Sequence, residues 1–321
     1  MPTTLLVICN PTAPHLKHLD RLPAETNIIV SDDPAELRRR AAEADAILSL
    51  DFAGKKLGPV LPFATRARWI HHFGTGVDGV LTPEVLANPL PLTNGRGVFR
   101  VPLGEWTVAA MLFFSYDLRR AIRQQEAGVW EPFTTGMLQG KTLGIIGYGG
   151  IGTAAAERAR PFGVKIVALR RRASLFGTDP LLDATFAPDR INDLMAASDY
   201  VLVAAPLTPE TRGLVGAAQI AAMKPSGVII NVGRGPVIDQ AALQAALESG
   251  KIRGAALDVF EVEPLPAGHP FYKMQNVLVS PHTADRVEDF HALAYQAFFE
   301  NFRRFEAGEP LINLVDKHAG Y

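Results

Sequence analysis

The chain has 321 residues, room for two domains at about 150 residues each. Hydrophobic residues make up 48% and charged residues 20%, an ordinary globular balance, and 32 basic against 33 acidic side chains leave a formal net charge of −1, which excludes a long-range pull on nucleic acid or an anionic membrane surface. The single cysteine, Cys9, excludes an internal disulfide and a cysteine metal cluster, so no metal site is expected and a reducing, cytoplasmic setting fits.

In chain order, the apolar run Leu5-Leu6-Val7-Ile8-Cys9 is a first strand with Cys9 in the core. It is too short for a signal peptide and no basic segment precedes it. No stretch approaches the roughly 18 apolar residues of a membrane span. Asp33-Pro34 marks a helix start, Asp33 as N-cap and Pro34 at the first helical position. Residues 46–50 and 68–71 read as strands, and glycine loops follow, including Phe73-Gly74-Thr75-Gly76-Val77-Asp78. A long helix is predicted over about 103–126, a candidate for the crossing between domains. Residues 128–140, with Trp130, Pro132 and Phe133, are too irregular for a helix and too apolar for a plain linker. From Lys141 onward, strands are predicted at 143–146, 164–169, 200–204, 227–232, 255–259 and 277–279, with a helix at 151–160. A last helix, about 287–306, is placed to return onto the first domain. Alternating short apolar strands and amphipathic helices predict an α/β fold of parallel sheets covered by helices.

Gly147-Tyr148-Gly149-Gly150-Ile151-Gly152 fits G-x-G-x-x-G. Alone it is a weak signal, and a glycine turn without a ligand is the plain alternative. Here it follows an apolar strand and opens a helix, the context a dinucleotide fingerprint requires. The first glycine makes the tight turn, the second lets a pyrophosphate approach, and the third packs helix on strand. The pyrophosphate then meets the helix N-terminus, where unpaired N–H groups and the dipole favour anions. A methyltransferase or flavin site are the other readings. The second strand of the unit ends Ala168-Leu169-Arg170-Arg171-Arg172. Arg170 stands about 20 residues past the glycines, where NAD enzymes of this type place an acid for the ribose hydroxyls. An arginine there binds a 2′-phosphate with its charged fork, which points to NADP(H), with NAD as the second choice. A solvated basic loop is the competing reading of the three arginines.

Three later segments each end a strand and carry charge: Asn231-Val232-Gly233-Arg234-Gly235, then Asp258-Val259-Phe260-Glu261-Val262-Glu263-Pro264, then Ser280-Pro281-His282-Thr283-Ala284. Strand C-termini line the ligand crevice of an open parallel sheet, so an arginine, a glutamate and a histidine are expected to converge beside a nicotinamide. Reduction of a 2-keto acid needs that set. Histidine supplies a proton near neutral pH, a carboxylate beside it favours the charged imidazole, and arginine grips the substrate carboxylate and steadies charge on the keto oxygen. Each residue taken singly has a structural explanation; their joint placement carries the reading.

With these segments in hand, the chain resembles the D-isomer-specific 2-hydroxyacid dehydrogenases over essentially its whole length, most specifically over residues 138–284. Leu143 through Gly152 is similar to the family's nucleotide fingerprint, and Ser198-Asp199 with Ala205-Pro206-Leu207-Thr208-Pro209-Glu210-Thr211-Arg212 resembles its adenine-side strand and loop. The resemblance gives Arg234 the substrate-binding role, Glu263 rather than Glu261 the role of the family's glutamate, and His282 the acid/base role. Asp258 is implied as a contact of the nicotinamide amide. Ala205, Pro206, Thr211, Val232, Gly233, His282 and Ala284 are implied on the cofactor side. The loop Gly74-Thr75-Gly76-Val77 is similar to the one whose amides hold the substrate carboxylate. Two Rossmann-like domains are implied: a discontinuous substrate domain, 1–98 and 287–321, and an inserted nucleotide domain, 99–286. A homodimer arm at 128–140 is implied as well.

Two positions depart from the family pattern. Arg170 replaces the acid of NAD-linked members and is similar to the NADP-linked glyoxylate and hydroxypyruvate reductases. Asp285 stands where many members have a small residue. The expected activity is reduction of a small 2-keto acid, glyoxylate- or hydroxypyruvate-like, to the D-2-hydroxy acid. The alternatives are a D-3-phosphoglycerate dehydrogenase lacking a regulatory domain and, in another class, a dinucleotide-sensing corepressor-like binding protein. The latter retains the same three side chains but carries partner-binding segments not evident here.

Overall fold

A computed structural model describes residues 2–52 and 54–321. The chain forms two compact units, Met1–Phe99 with Glu288–Tyr321, and Arg100–Val287. The junctions fall one residue beyond the expected 98/99 and 286/287.

The discontinuous unit is built on five parallel strands: β1 (Thr4–Ile8), β2 (Asn27–Ser31), β3 (Ala46–Ser49), β4 (Trp69–His72) and β5 (Leu92–Asn94), in the spatial order β2-β1-β3-β4-β5. β1, β3 and β4 are buried along their whole length; β1 and β3 read as apolar runs, while β4 ends on the buried His71 and His72. The helix Pro34–Arg40 begins as expected, with the Asp33 carboxylate accepting the Glu36 amide at 2.8 Å. The helix Phe290–Ala307 packs on this sheet: Phe298 stacks on Trp69 with centroids 5.8 Å apart, and Tyr295, Phe298 and Phe302 are buried. Two strands were not expected. β2 is half-exposed and β5 is only three residues long, so neither carries a clear apolar run. Cys9 corrects the expectation of a core residue. It lies just past the end of β1 and is half-buried, its Sγ 3.9 Å from His15 Nε2.

The continuous unit carries seven parallel strands: β6 (Thr142–Ile146), β7 (Lys165–Leu169), β8 (Ala184–Phe186), β9 (Tyr200–Val203), β10 (Val228–Asn231), β11 (Gly254–Leu257) and β12 (Val277–Val279). Their spatial order is β12-β11-β10-β9-β6-β7-β8. From β6 the chain winds outward through β7 and β8, then crosses back to β9 and winds the other way. The order therefore reverses between β6 and β9, the point at which doubly wound sheets bind ligands beyond their strand C-termini. β8 was not expected, since its three residues are part-exposed. The predicted long helix over 103–126 is two helices, Arg100–Ser115 and Leu118–Glu126. Asp117 between them takes a left-handed backbone, φ 48°, which breaks the hydrogen-bond ladder without a proline or glycine. Residues 128–140 form no helix or strand.

Candidate active site

The fingerprint occupies the turn between β6 and the helix Gly150–Ala159. Gly147 has φ +93°, and a Cβ there would meet the Ala205 amide nitrogen at 2.4 Å, so the turn and the loop after β9 are pressed together. A Cβ on Gly152 would meet the Gly147 carbonyl oxygen at 2.8 Å, which keeps the helix close to the strand. Gly149, between them, has no atom within 4 Å of its Cβ position. Two glycines that face protein and one that faces open space make a cradle at a helix N-terminus, and a dinucleotide pyrophosphate fits it. Gly150 and Ile151 open the helix. Beyond Ala205, Thr211 Oγ1 donates to the Pro206 carbonyl at 2.6 Å and accepts the Thr208 amide at 2.8 Å, which closes the 206–211 loop on itself.

Arg170 follows the last residue of β7. Its guanidinium donates to Asp179 Oδ2 at 3.1 Å and to the Leu175 carbonyl at 2.9 Å, and lies over the Tyr148 ring, 4.8 Å from its centroid. Arg171 and Arg172 are exposed, and the Arg171 charge is felt by Glu210 in the 206–211 loop. The arginine run is thus not uniform: its first member is engaged and the next two face solvent.

Arginine, glutamate and histidine do come together. β10 runs into Asn231, whose amide caps the next turn: Oδ1 accepts the Gly233 amide at 3.1 Å and Nδ2 donates to the Arg234 carbonyl at 3.2 Å. Gly235 is required by packing, since a Cβ there would sit 1.9 Å from the Phe260 carbonyl carbon. Gly235 thus admits the neighbouring loop. Val232 and Gly233 are buried beneath the turn. After β11, Glu263 Oε1 accepts the Phe260 amide at 2.9 Å and its Oε2 meets His282 Nδ1 at 2.7 Å. Burial alone raises the Glu263 pKa. The hydrogen bond from His282, the Phe260 amide and the charges of His282 and Arg234 outweigh it and hold the carboxylate below its ordinary value. His282 is held above its ordinary value, chiefly by the hydrogen bond to Glu263, against burial and the repulsion of Arg234. Arg234 therefore acts electrostatically on both partners.

His282 has φ +53°, a left-handed backbone uncommon outside glycine, though histidine enters it more readily than most side chains. Asp258 explains how it is held. Its carbonyl accepts the His282 amide at 2.9 Å, and its Oδ1 accepts from Ser280 Oγ at 2.6 Å and from the amides of Thr283 at 2.9 Å and Ala284 at 3.1 Å. This bracing role was missed in the sequence, where Asp258 stood only as an implied nicotinamide contact. Asp285, the unusual residue, is largely buried: burial holds its carboxyl above the ordinary value against the pull of Arg286 and His282. Arg286 Nε lies 3.8 Å from its Oδ1.

The loop Gly74-Thr75-Gly76-Val77 belongs to the discontinuous unit, where it follows β4. It is pinned to the turn after β5: Gly74 O accepts the Gly95 amide at 3.0 Å, Thr75 Oγ1 donates to the Gly95 carbonyl at 3.2 Å, and Asn94 Nδ2 donates to the Thr75 carbonyl at 2.6 Å. Val77 is buried. Among the described residues, no group of three His, Cys, Asp or Glu is placed to hold a metal ion, and no helix is long and apolar enough to cross a membrane.

Residues 108–284 match the family model for the D-isomer specific 2-hydroxyacid dehydrogenase, NAD binding domain. The chain belongs to this family. The D-2-hydroxyacid dehydrogenase match extends beyond the nucleotide segment. A glyoxylate reductase of Thermofilum pendens is 36% identical over 290 residues, 88% of this chain and 84% of that protein. A D-3-phosphoglycerate dehydrogenase of Methanocaldococcus jannaschii is 33% identical over 290 residues, 88% of this chain but only 53% of that longer protein. Among solved structures, an NADPH-dependent glyoxylate/hydroxypyruvate reductase from Sinorhizobium meliloti, in complex with NADP and sulfate, superposes with a TM-score of 0.85 at 28% identity, over 99% of this chain and 100% of that one. Two parallel-sheet α/β domains are thus the fold of the family, as the resemblance implied.

Proposed function

We propose that this chain reduces a small 2-keto acid of the glyoxylate or hydroxypyruvate class to the D-2-hydroxy acid, with NADPH preferred to NADH. The observation that carries the reading is the 2.7 Å His282–Glu263 pair beside Arg234, at the C-terminal edge of the sheet that also bears the dinucleotide cradle. The chemistry a reduced nicotinamide brings to such a cradle is a hydride, delivered to C2 of the keto acid. With Nδ1 committed to Glu263, His282 passes the proton from Nε2 to the keto oxygen, and C2 becomes a hydroxyl-bearing carbon. Glu263 keeps the imidazole oriented and charged before the transfer. Arg234 binds the substrate carboxylate and the keto oxygen as charge builds there. The amides of Gly74, Thr75, Gly76 and Val77 are assigned to binding a substrate carboxylate, as the resemblance implies. Val232, Gly233, Ala284 and Asp258 are assigned to the nicotinamide end, Ala205, Pro206 and Thr211 to the adenine side, and Arg170, Arg171 and Arg172 to the 2′-phosphate. The protein is placed in the cytoplasm as a homodimer acting on small molecules.

The test is kcat/KM for NADPH and NADH with glyoxylate and with hydroxypyruvate. A single charged hydrogen bond contributes roughly 1.5–3 kcal/mol. At about 1.4 kcal/mol per factor of ten, NADPH should be preferred by about 10- to 150-fold. Equal values, or a preference for NADH, would remove the arginine run from recognition of the 2′-phosphate and leave Arg170 as a structural partner of Asp179. Similarity to the M. jannaschii enzyme supports a second reading, D-3-phosphoglycerate oxidation. Turnover of that substrate exceeding that of both keto acids would establish it. Binding of NADPH without turnover of any of them would establish a sensing protein.

A further inference from the structure

Arg170 is the residue on which the NADPH preference turns, and this inference rests on that assignment. Its guanidinium is already matched to an anion of its own chain. Nη2 donates to Asp179 Oδ2 at 3.1 Å, Nη1 to the Leu175 carbonyl at 2.9 Å, and the Tyr148 ring supports one face at 4.8 Å. The pair is well covered, with side chains 14% and 21% exposed. Asp179 is itself placed, since its Oδ1 accepts the Leu181 amide at 3.0 Å. The connection between β7 and β8 therefore folds back to set a carboxylate on the guanidinium edge beside the fingerprint tyrosine.

We propose that Asp179 is an internal competitor for the 2′-phosphate of NADP(H), occupying on Arg170 the donor that a phosphate oxygen takes. Asp179 takes one N–H of the guanidinium, a donor that a phosphate oxygen also takes. Two anions cannot share that donor without repulsion, so the phosphate binds by displacing the Asp179 carboxylate. A ribose hydroxyl carries no charge and needs no such displacement. Asp179 thus moderates the discrimination that Arg170 supplies, and cofactor choice is set by the pair rather than by the arginine.

The test uses 2′,5′-ADP, which carries the phosphate, and 5′-AMP, which lacks it, titrated calorimetrically into the full chain. Asp179→Asn preserves shape and the acceptor for the Leu181 amide. It should tighten 2′,5′-ADP on the order of tenfold, roughly 1.4 kcal/mol, and leave 5′-AMP almost unchanged. Asp179→Ser should act in the same direction. In an Arg170→Ala background the gain from Asp179→Asn should vanish, because the competed donor is gone. Unchanged or weaker 2′,5′-ADP binding in both Asp179 variants overturns the proposal and makes Asp179 a residue that positions Arg170. Wild-type-like 2′,5′-ADP binding by Arg170→Ala instead removes the assignment of Arg170 to the phosphate, a separate failure read from a separate variant.

Discussion

In the proposed reaction, the hydrogen bond between His282 and Glu263 sets the pH range. Keto-acid reduction needs the protonated imidazole, and the Glu263 bond lifts its pKa, so reduction persists to higher pH than an isolated histidine allows. Glu263→Gln removes the negative partner, and the alkaline limb of kcat/KM for reduction should move to lower pH. A profile that stays in place would show that Glu263 does not hold the imidazole charged. His282→Ala should lower kcat by about 10²–10⁴-fold, the usual contribution of a general acid, while leaving the NADPH dissociation constant unchanged. At this scale the sequence was partly legible. Arg234 and His282 stood out as charged residues just past apolar runs. Glu263 was separated from Glu261 only by resemblance, because both follow the same strand. The three hydrogen bonds on Asp258 Oδ1 join β11 to the loop after β12, and Asp179 reaches Arg170 from a loop. Such partners are fixed by tertiary register, which no local pattern encodes.

The loops that carry these residues are locked to one another by close backbone approach. Gly235 lies against the Phe260 backbone, and the Phe260 amide in turn anchors Glu263. Gly235→Ala should therefore act twice. The added methyl must displace backbone, an overpacking cost of about 1–3 kcal/mol, seen as a lower melting temperature. The displaced Phe260 should also release Glu263, seen as the same shift in pH profile as Glu263→Gln. A variant that melts and titrates like the wild type would show that the two loops part without consequence. Elements were most legible where burial on both faces leaves an apolar run, as in β1, β3, β6 and β10. β2, β5 and β8 escaped because short or half-exposed strands are decided by the neighbour they pair with. The break at Asp117 escaped because nothing but a left-handed φ marks it.

For the whole molecule, the residues with the least explanation inside one chain are those of 128–140. Trp130 is 96% exposed and Met137 62% exposed, while Arg120 lies over the Phe133 ring at 4.5 Å. A surface that leaves a tryptophan almost fully in water is suited to a partner, and a two-fold copy of this chain is the commonest one. Light scattering at micromolar concentration should give twice the mass of a single chain, and Trp130→Ala should shift it toward one. A monomer at that concentration would leave the tryptophan unexplained by self-association. The parallel sheets were legible because alternation of strand and helix persists along the chain, whereas the insertion of the nucleotide unit came only from the resemblance to the family. A dimer arm at 128–140 was likewise implied only by resemblance, since exposure is a property of the folded surface.

The left-handed backbone of His282 makes the residue proposed to carry the reacting proton also hold a turn that most side chains disfavour. Asparagine enters that region more readily than alanine does. His282→Asn should therefore melt at or above His282→Ala while being equally inactive, and the reverse order would mean the turn places no demand on its occupant. Histidine and asparagine codons differ by a single base. Under the proposed mechanism, a form of this chain that binds the dinucleotide without turnover is therefore a single base change away.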